Sequence, residues 1–97
     1  MTDDKFQLLH PEGKDAPRID KAKYALVRAI LLDIIPRNTA GIPFIGLADQ
    51  VTKALTREQL AHLGSVGWYT TNVKLDLEAR GEIERVPGST PQRVRRK

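Results

Sequence analysis

Five cationic side chains, Arg85, Arg93, Arg95, Arg96 and Lys97, stand in the last sixteen residues against two carboxylates, Glu82 and Glu84. That stretch carries +3, residues 65–81 carry 0 and residues 1–64 carry +1, so the net +4 of the chain is gathered at one end. A local excess of guanidinium and ammonium groups suits a polyanion, because each can hold a phosphate oxygen by charge and by hydrogen bond. A solvated cationic end that only aids solubility has the same composition.

Other chemistry finds few residues to carry it. His10 stands beside a proline in a turn and His62 in a connecting segment. Neither lies in a metal-ligand spacing, and two histidines without any cysteine make a poor zinc set. The stretch Gly41-Ile42-Pro43-Phe44-Ile45-Gly46 lacks the GK[ST] ending and the preceding strand of a phosphate-cradling loop. Ser65 and Ser89 have no positioned base near them in sequence, and a nucleophile needs one. Glu82 and Glu84 read as the solvated face of a strand. A chain of this length has little room for a deep pocket. The expectation is a non-enzymatic protein with no cofactor and no metal.

Ninety-seven residues suit one domain, 1–97, able to bury a modest core without staples. With no cysteine, disulfides and thiolate metal sites are excluded. The opening MTDDKFQLLHPEGK has no apolar signal core, and no run approaches bilayer length. The expected setting is cytoplasmic, with no membrane contact.

The elements that must position the cationic end follow from periodicity. Residues 1–19 read as an N-terminal arm or β-hairpin. Phe6-Gln7-Leu8-Leu9 is one strand, His10-Pro11-Glu12-Gly13 the turn, and Pro17-Arg18-Ile19 the return. Residues 20–81 read as a helical core. Asp20 is a helix N-cap, followed by KAKYALVRAILLDII with Tyr24, Val27, Ile30, Leu31 and Ile34 at helical spacing. Ile35 precedes Pro36, which ends the helix. Ile42-Pro43 is a short extended piece. A second helix is expected over Pro43–Leu55, with Phe44, Leu47, Ala48, Val51 and Leu55 on one face. Thr56 with Gln59 can close a capping box on a short helical turn. A third helix runs from Ser65, its N-cap, to Gly81, with Val66, Tyr69, Thr70, Val73 and Leu77 on one face. Beyond Gly81 the period drops from 3.6 to 2. Residues 82–97 then read as a hairpin with strands Glu82–Val86 and Gln92–Arg96, ending in a basic tail.

The junction Leu77-Glu78-Ala79-Arg80-Gly81-Glu82-Ile83-Glu84-Arg85-Val86 resembles the helix-to-wing junction of bacterial winged helix-turn-helix proteins. The segments RIDKAKY, SVGWY and VKLDLEARGEIERVPGS are also similar to a group of small stand-alone bacterial winged-helix proteins without assigned function. The resemblance covers roughly Asp20 to Arg96. It implies an α+β winged helix: a three-helix bundle with a C-terminal β-hairpin wing, plus the N-terminal hairpin or arm. In such proteins that bind double-stranded DNA, the third helix enters the major groove and the wing touches the backbone. Carried onto this chain, Thr71 and Asn72 face the bases with Lys74 at the flank. Arg85, Arg93, Arg95 and Arg96 hold phosphates. The implied role is a DNA-binding module of the transcriptional regulator kind, aided by dimerisation.

Two features depart from that pattern. Asp76, Glu78, Glu82 and Glu84 would each repel a nearby phosphate, by on the order of a kcal/mol in a partly wet interface. A second apolar line, Trp68, Leu75 and Ala79, lies opposite Val66, Val73 and Leu77. It can be covered by the N-terminal arm or the basic strand, form a homodimer or protein-partner patch, or let Trp68 stack on a base. The alternative function is therefore a protein-interaction or dimerisation module that keeps the scaffold without binding DNA.

Overall fold

The computed structural model describes residues 4–97; residues 1–3 of the expected arm lie outside the described residues. The chain opens with an antiparallel hairpin, β1 (Lys5–Gln7) and β2 (Arg18–Asp20), in the register Phe6 opposite Ile19. The turn falls where Pro11 and Gly13 predict it. Gly13 N–H donates to the His10 carbonyl at 2.9 Å, and Glu12 N–H donates to His10 Nδ1 at 3.0 Å. His10 is thus used to shape a turn.

Asp20 leaves β2 and caps α1 (Lys21–Ile34), accepting from Ala22 N–H at 2.9 Å and Lys23 N–H at 3.1 Å. Two early helix donors that would otherwise lack partners are met. Tyr24, Val27 and Leu31 bury one face of α1, and Ile35 continues it just before Pro36 stops the helix.

The second helix starts later than expected. Pro43 belongs to a two-residue strand, β3 (Ile42–Pro43), and α2 covers only Leu47–Ala54. Gly46, at φ 87°, turns the chain through the left-handed region just before α2, so the helical pattern cannot reach back to Pro43. The link to the next helix is itself a helix, α3 (Arg57–Leu63). Thr56 and Gln59 close the capping box, Gln59 N–H donating to Thr56 Oγ1 at 3.1 Å and Thr56 N–H to Gln59 Oε1 at 2.8 Å. The helices thus number four among the described residues, one more than the bundle expected from sequence.

The expected third helix is α4 (Val66–Ala79), capped by Ser65 Oγ accepting from Trp68 N–H at 3.2 Å. Its end is a Schellman motif. Glu82 N–H donates to the Leu77 carbonyl at 3.0 Å and Gly81 N–H to the Glu78 carbonyl at 3.1 Å, with Gly81 at φ 76°. That reversal launches β4 (Ile83–Arg85), which pairs with β5 (Arg93–Arg96). β3 joins the other edge of β5, so the sheet order is β3-β5-β4, all antiparallel. The whole is an α+β, winged-helix-like arrangement preceded by a β-hairpin.

α4 packs on both α1 and α2, and Val73 and Leu77 are wholly buried there with Val27, Leu31, Leu47 and Val51. Ile83 and Val94 carry the same core under the sheet. Leu8 and Ile19 of the hairpin are buried too, so the hairpin is part of the core and not a loose arm. No helix among the described residues is long and apolar enough to cross a membrane.

Candidate functional site

The site residues expected from sequence divide between α4 and the sheet. On α4, steps of about 100° per residue place Trp68, Thr71, Asn72, Leu75 and Ala79 on the side away from Val73 and Leu77. Trp68 is 43% exposed, its ring edge-on to Tyr69 with centroids 5.0 Å apart. Thr71 is exposed, and Asn72 is half-buried. The Asn72 amide donates to the Trp68 carbonyl at 2.9 Å, so one of its donors is tied to its own helix. Leu75 and Ala79 are half-buried.

Lys74 is not at the flank of that face. It is 2% exposed, inside the seam between α4 and the sheet. Its ammonium donates to Gln92 Oε1 at 2.6 Å and lies 4.7 Å from the centre of the Phe44 ring. Glu78 Oε1 is 2.8 Å away, so the two side chains form an ion pair one helical turn apart. Burial lowers the Lys74 pKa, and the Glu78 carboxylate opposes that shift. A lysine so enclosed cannot reach a phosphate on the surface.

Asp76, expected from sequence on the outside as a repelling charge, lies inside instead. It is wholly buried. Oδ1 accepts from Leu9 N–H at 2.8 Å, Oδ2 accepts from the Tyr24 hydroxyl at 2.6 Å, and Arg80 Nε meets both oxygens at 3.0 and 2.9 Å. Arg80 goes on to the Gln7 carbonyl at 3.3 Å and lies over the Phe6 ring at 4.8 Å. This carboxylate ties the N-terminal hairpin to α1 and α4. With the Glu78 side chain only 8% exposed, all three charged residues of α4 are withdrawn from its surface.

The wing arginines are engaged within the chain. Arg85 stays mostly exposed, its Nε 3.7 Å from Glu78 Oε1. Arg93 donates from Nε to the Ala40 carbonyl at 2.8 Å and from Nη2 to the Gly41 carbonyl at 3.0 Å. Arg95 donates from Nε to Glu84 Oε2 at 2.7 Å and from Nη1 to the Thr39 carbonyl at 2.9 Å. Arg96 donates from Nε to the Ile35 carbonyl at 2.7 Å. β5 is the central strand, so its long side chains reach across to the α1–β3 loop and fasten it. A carbonyl oriented this way holds a guanidinium without cancelling its charge; among the described residues only Glu84 and Glu78 do that. Glu82 pairs with Arg28 of α1.

Two surface features had no sequence signal. One is a groove of about 410 Å³ between the start of α1 and α3, floored by Leu26 and Leu63 and rimmed by Lys23, Glu58 and His62. The other is the position of Arg37 beside the end of β5. The first depends on how α1 and α3 lie together and the second on the α1–β3 loop, and periodicity describes neither. Among the described residues, no group of three or more His, Cys, Asp or Glu side chains is placed to hold a metal.

Neither the curated proteins nor the solved structures contain a match to this chain. A family model does match it, over residues 5–94, which takes in the N-terminal hairpin, all of α1 to α4 and most of the wing. The chain belongs to the family of unknown function DUF6958.

Proposed function

We propose that this protein is a non-enzymatic interaction module, and that the outward face of α4 pairs with a second copy of the chain. One observation carries the reading. The face holds an exposed Trp68 beside Leu75 and Ala79, while Lys74, Asp76 and Glu78 are all turned inward. A helix that reads nucleic acid needs charged or free polar donors at its surface. This face offers Thr71 and a half-committed Asn72. A two-fold pairing sets each patch against itself, and a face without charge meets no repulsion there. Tryptophan is also the side chain most able to anchor such a contact.

The test uses the single tryptophan of the chain as its reporter. Sedimentation across a concentration series, read with Trp68 emission, should show dimers forming as the emission moves to shorter wavelength. Trp68→Arg should hold the protein monomeric while it still unfolds in one cooperative transition. A protein that stays monomeric at its highest soluble concentration, with constant emission, overturns the reading.

A second reading, binding of double-stranded DNA, is favoured by the neutral partners of Arg93 and Arg96. Their charge is still available to phosphates. Affinity for random-sequence duplex should then fall steeply with salt, and Arg93→Ala should make the slope shallower by about one. Absence of binding at low salt removes this second reading.

A further inference from the structure

The positive charge of the wing does not gather at its loop. Pro87 to Pro91 contains no charged side chain. It gathers at the opposite end of the sheet, where Arg96 pairs with Ile83 just after α4 ends. There Arg37, Arg95, Arg96 and Lys97 line a depression of about 390 Å³ together with Glu84 and Thr39. A second hollow of about 260 Å³ shares Arg37, Arg96 and Lys97. The acids nearby are already occupied: Glu84 by Arg95 and Glu82 by Arg28. The side chains of Arg37, Arg96 and Lys97 have no carboxylate partner among the described residues.

We propose that this depression is a binding site for phosphate groups, free or within a nucleic-acid backbone. Arg96 and Arg95 are anchored through Nε, to the Ile35 carbonyl and Glu84 respectively, and Arg95 also through Nη1 to Thr39. Both Nη groups of Arg96 and Nη2 of Arg95 are left for a ligand. Side chains held before binding lose little freedom when the ligand arrives. Arg37, exposed and without a hydrogen bond to any described residue, closes the site from the α1–β3 loop. The donor geometry selects the anion. A single guanidinium fork satisfies a carboxylate, whereas forks from separate directions suit a tetrahedral oxyanion with several acceptor oxygens. The volume admits a phosphate with its ester substituents. Two sources share that chemistry, a free polyphosphate or nucleotide and the backbone of a nucleic acid. The site lies apart from Trp68 and does not rest on the self-association reading.

The experiment titrates the full chain at low salt with tripolyphosphate and, separately, with a random-sequence DNA duplex. The guanidinium Nε–H resonances of Arg95 and Arg96 are the readout. Arg37→Ala removes a group that holds nothing in the fold, so the variant should melt as the parent does. It should bind about tenfold more weakly, the loss expected for one charge-assisted contact. Arg57→Ala, which removes an exposed cation not lining the depression, should bind as the parent does. A response to tripolyphosphate alone assigns the site to free polyphosphates and nucleotides. A response to both probes, each weakened by Arg37→Ala, assigns it to nucleic-acid backbone as well. No response from the parent protein to either probe overturns the proposal. So does binding that Arg37→Ala and Arg57→Ala weaken equally, or that Arg37→Ala leaves unchanged. Duplex binding lost in Arg93→Ala but kept in Arg37→Ala would place DNA at Arg93, outside the depression, and refute this site for it.

Discussion

The Tyr24 hydroxyl of α1 donates to Asp76 Oδ2 of α4 at 2.6 Å, across 52 residues of sequence and inside the core. The same carboxylate accepts from Leu9 N–H of the hairpin and from Arg80. Three segments therefore meet on one buried anion. Both of its oxygens are engaged, which is what makes an ionised carboxylate tolerable at zero exposure. Phe6 stacks on Tyr24 with ring centroids 4.0 Å apart and closes the network from the hairpin side.

That network makes stability fall at high pH. Burial first, and then the hydrogen bond to Asp76, push the Tyr24 pKa from 10.0 up to about 12. Below pH about 10 both folded and unfolded chains keep the phenol proton, and the contribution is fully present. Between about 10 and about 12 only the unfolded chain releases it, so stability drops as pH rises. Two pH units correspond to roughly 2–3 kcal/mol. Urea unfolding at about pH 9 and about pH 11.5 should show this loss, and Tyr24→Phe should lack most of it. Equal losses in the two proteins would mean that another group titrates there.

The buried Lys74–Glu78 pair should behave asymmetrically. Lys74→Met leaves Glu78 enclosed with only the 3.7 Å approach of Arg85, and should cost about 3 kcal/mol. Adding Glu78→Leu removes the stranded charge, and the double variant should return to within about 1 kcal/mol of the parent. Chemical denaturation of the four proteins completes the cycle. A double variant as weak as the sum of the singles would show that the seam needs the ions themselves.

The elements whose signals are local are legible in the sequence. Asp20, Thr56, Ser65 and Gly81 mark helix ends through bonds within about three residues, and each does so here. The hairpins at both ends carry their own turn chemistry. What was illegible depends on distant partners. Lys74 and Asp76 look like surface charges on a helical wheel, and only Gln92 at one end and Leu9 and Tyr24 at the other turn them inward. β3 is two residues long, too short for any period, and exists because Val94 and Arg93 pair with it. The cationic end was visible in composition. That its arginines fasten the Ile35–Gly41 stretch was not, because backbone carbonyls leave no mark in a sequence.

Thr70 should be improved by losing its hydroxyl. It is 1% exposed on α4, and Oγ1 has no hydrogen-bond partner among the described residues. An unsatisfied buried hydroxyl costs free energy that a methyl of the same shape does not. Thr70→Val should raise stability by about 1 kcal/mol, seen as a later denaturant midpoint with an unchanged slope. A destabilised variant would point to a buried water serving that oxygen.

Two glycines should respond to alanine with opposite signs. Gly41 sits at φ 63°, and a Cβ there would collide with the Val94 carbonyl oxygen and lie 2.9 Å from Val86 Cγ2. Both neighbours belong to the wing, and Gly41 N–H is itself held by Asn38 Oδ1 at 2.7 Å. The backbone conformation and the close approach both require glycine, and the loop cannot retreat without breaking the Arg93 contacts to Ala40 and Gly41. Gly41→Ala should cost about 3 kcal/mol or more, and should speed amide exchange at Val94 by detaching β3 from β5. Gly67 lies inside α4, and a methyl group added there would meet no described residue within 4 Å. At that position alanine only reduces the freedom of the unfolded chain, and Gly67→Ala should stabilise by about 0.5–1 kcal/mol. Because Gly67 adjoins Trp68, the same variant also reports on self-association. A gain in thermal stability with an unchanged dimer constant places residue 67 beside the contact, whereas a gain cancelled by lost association places it within.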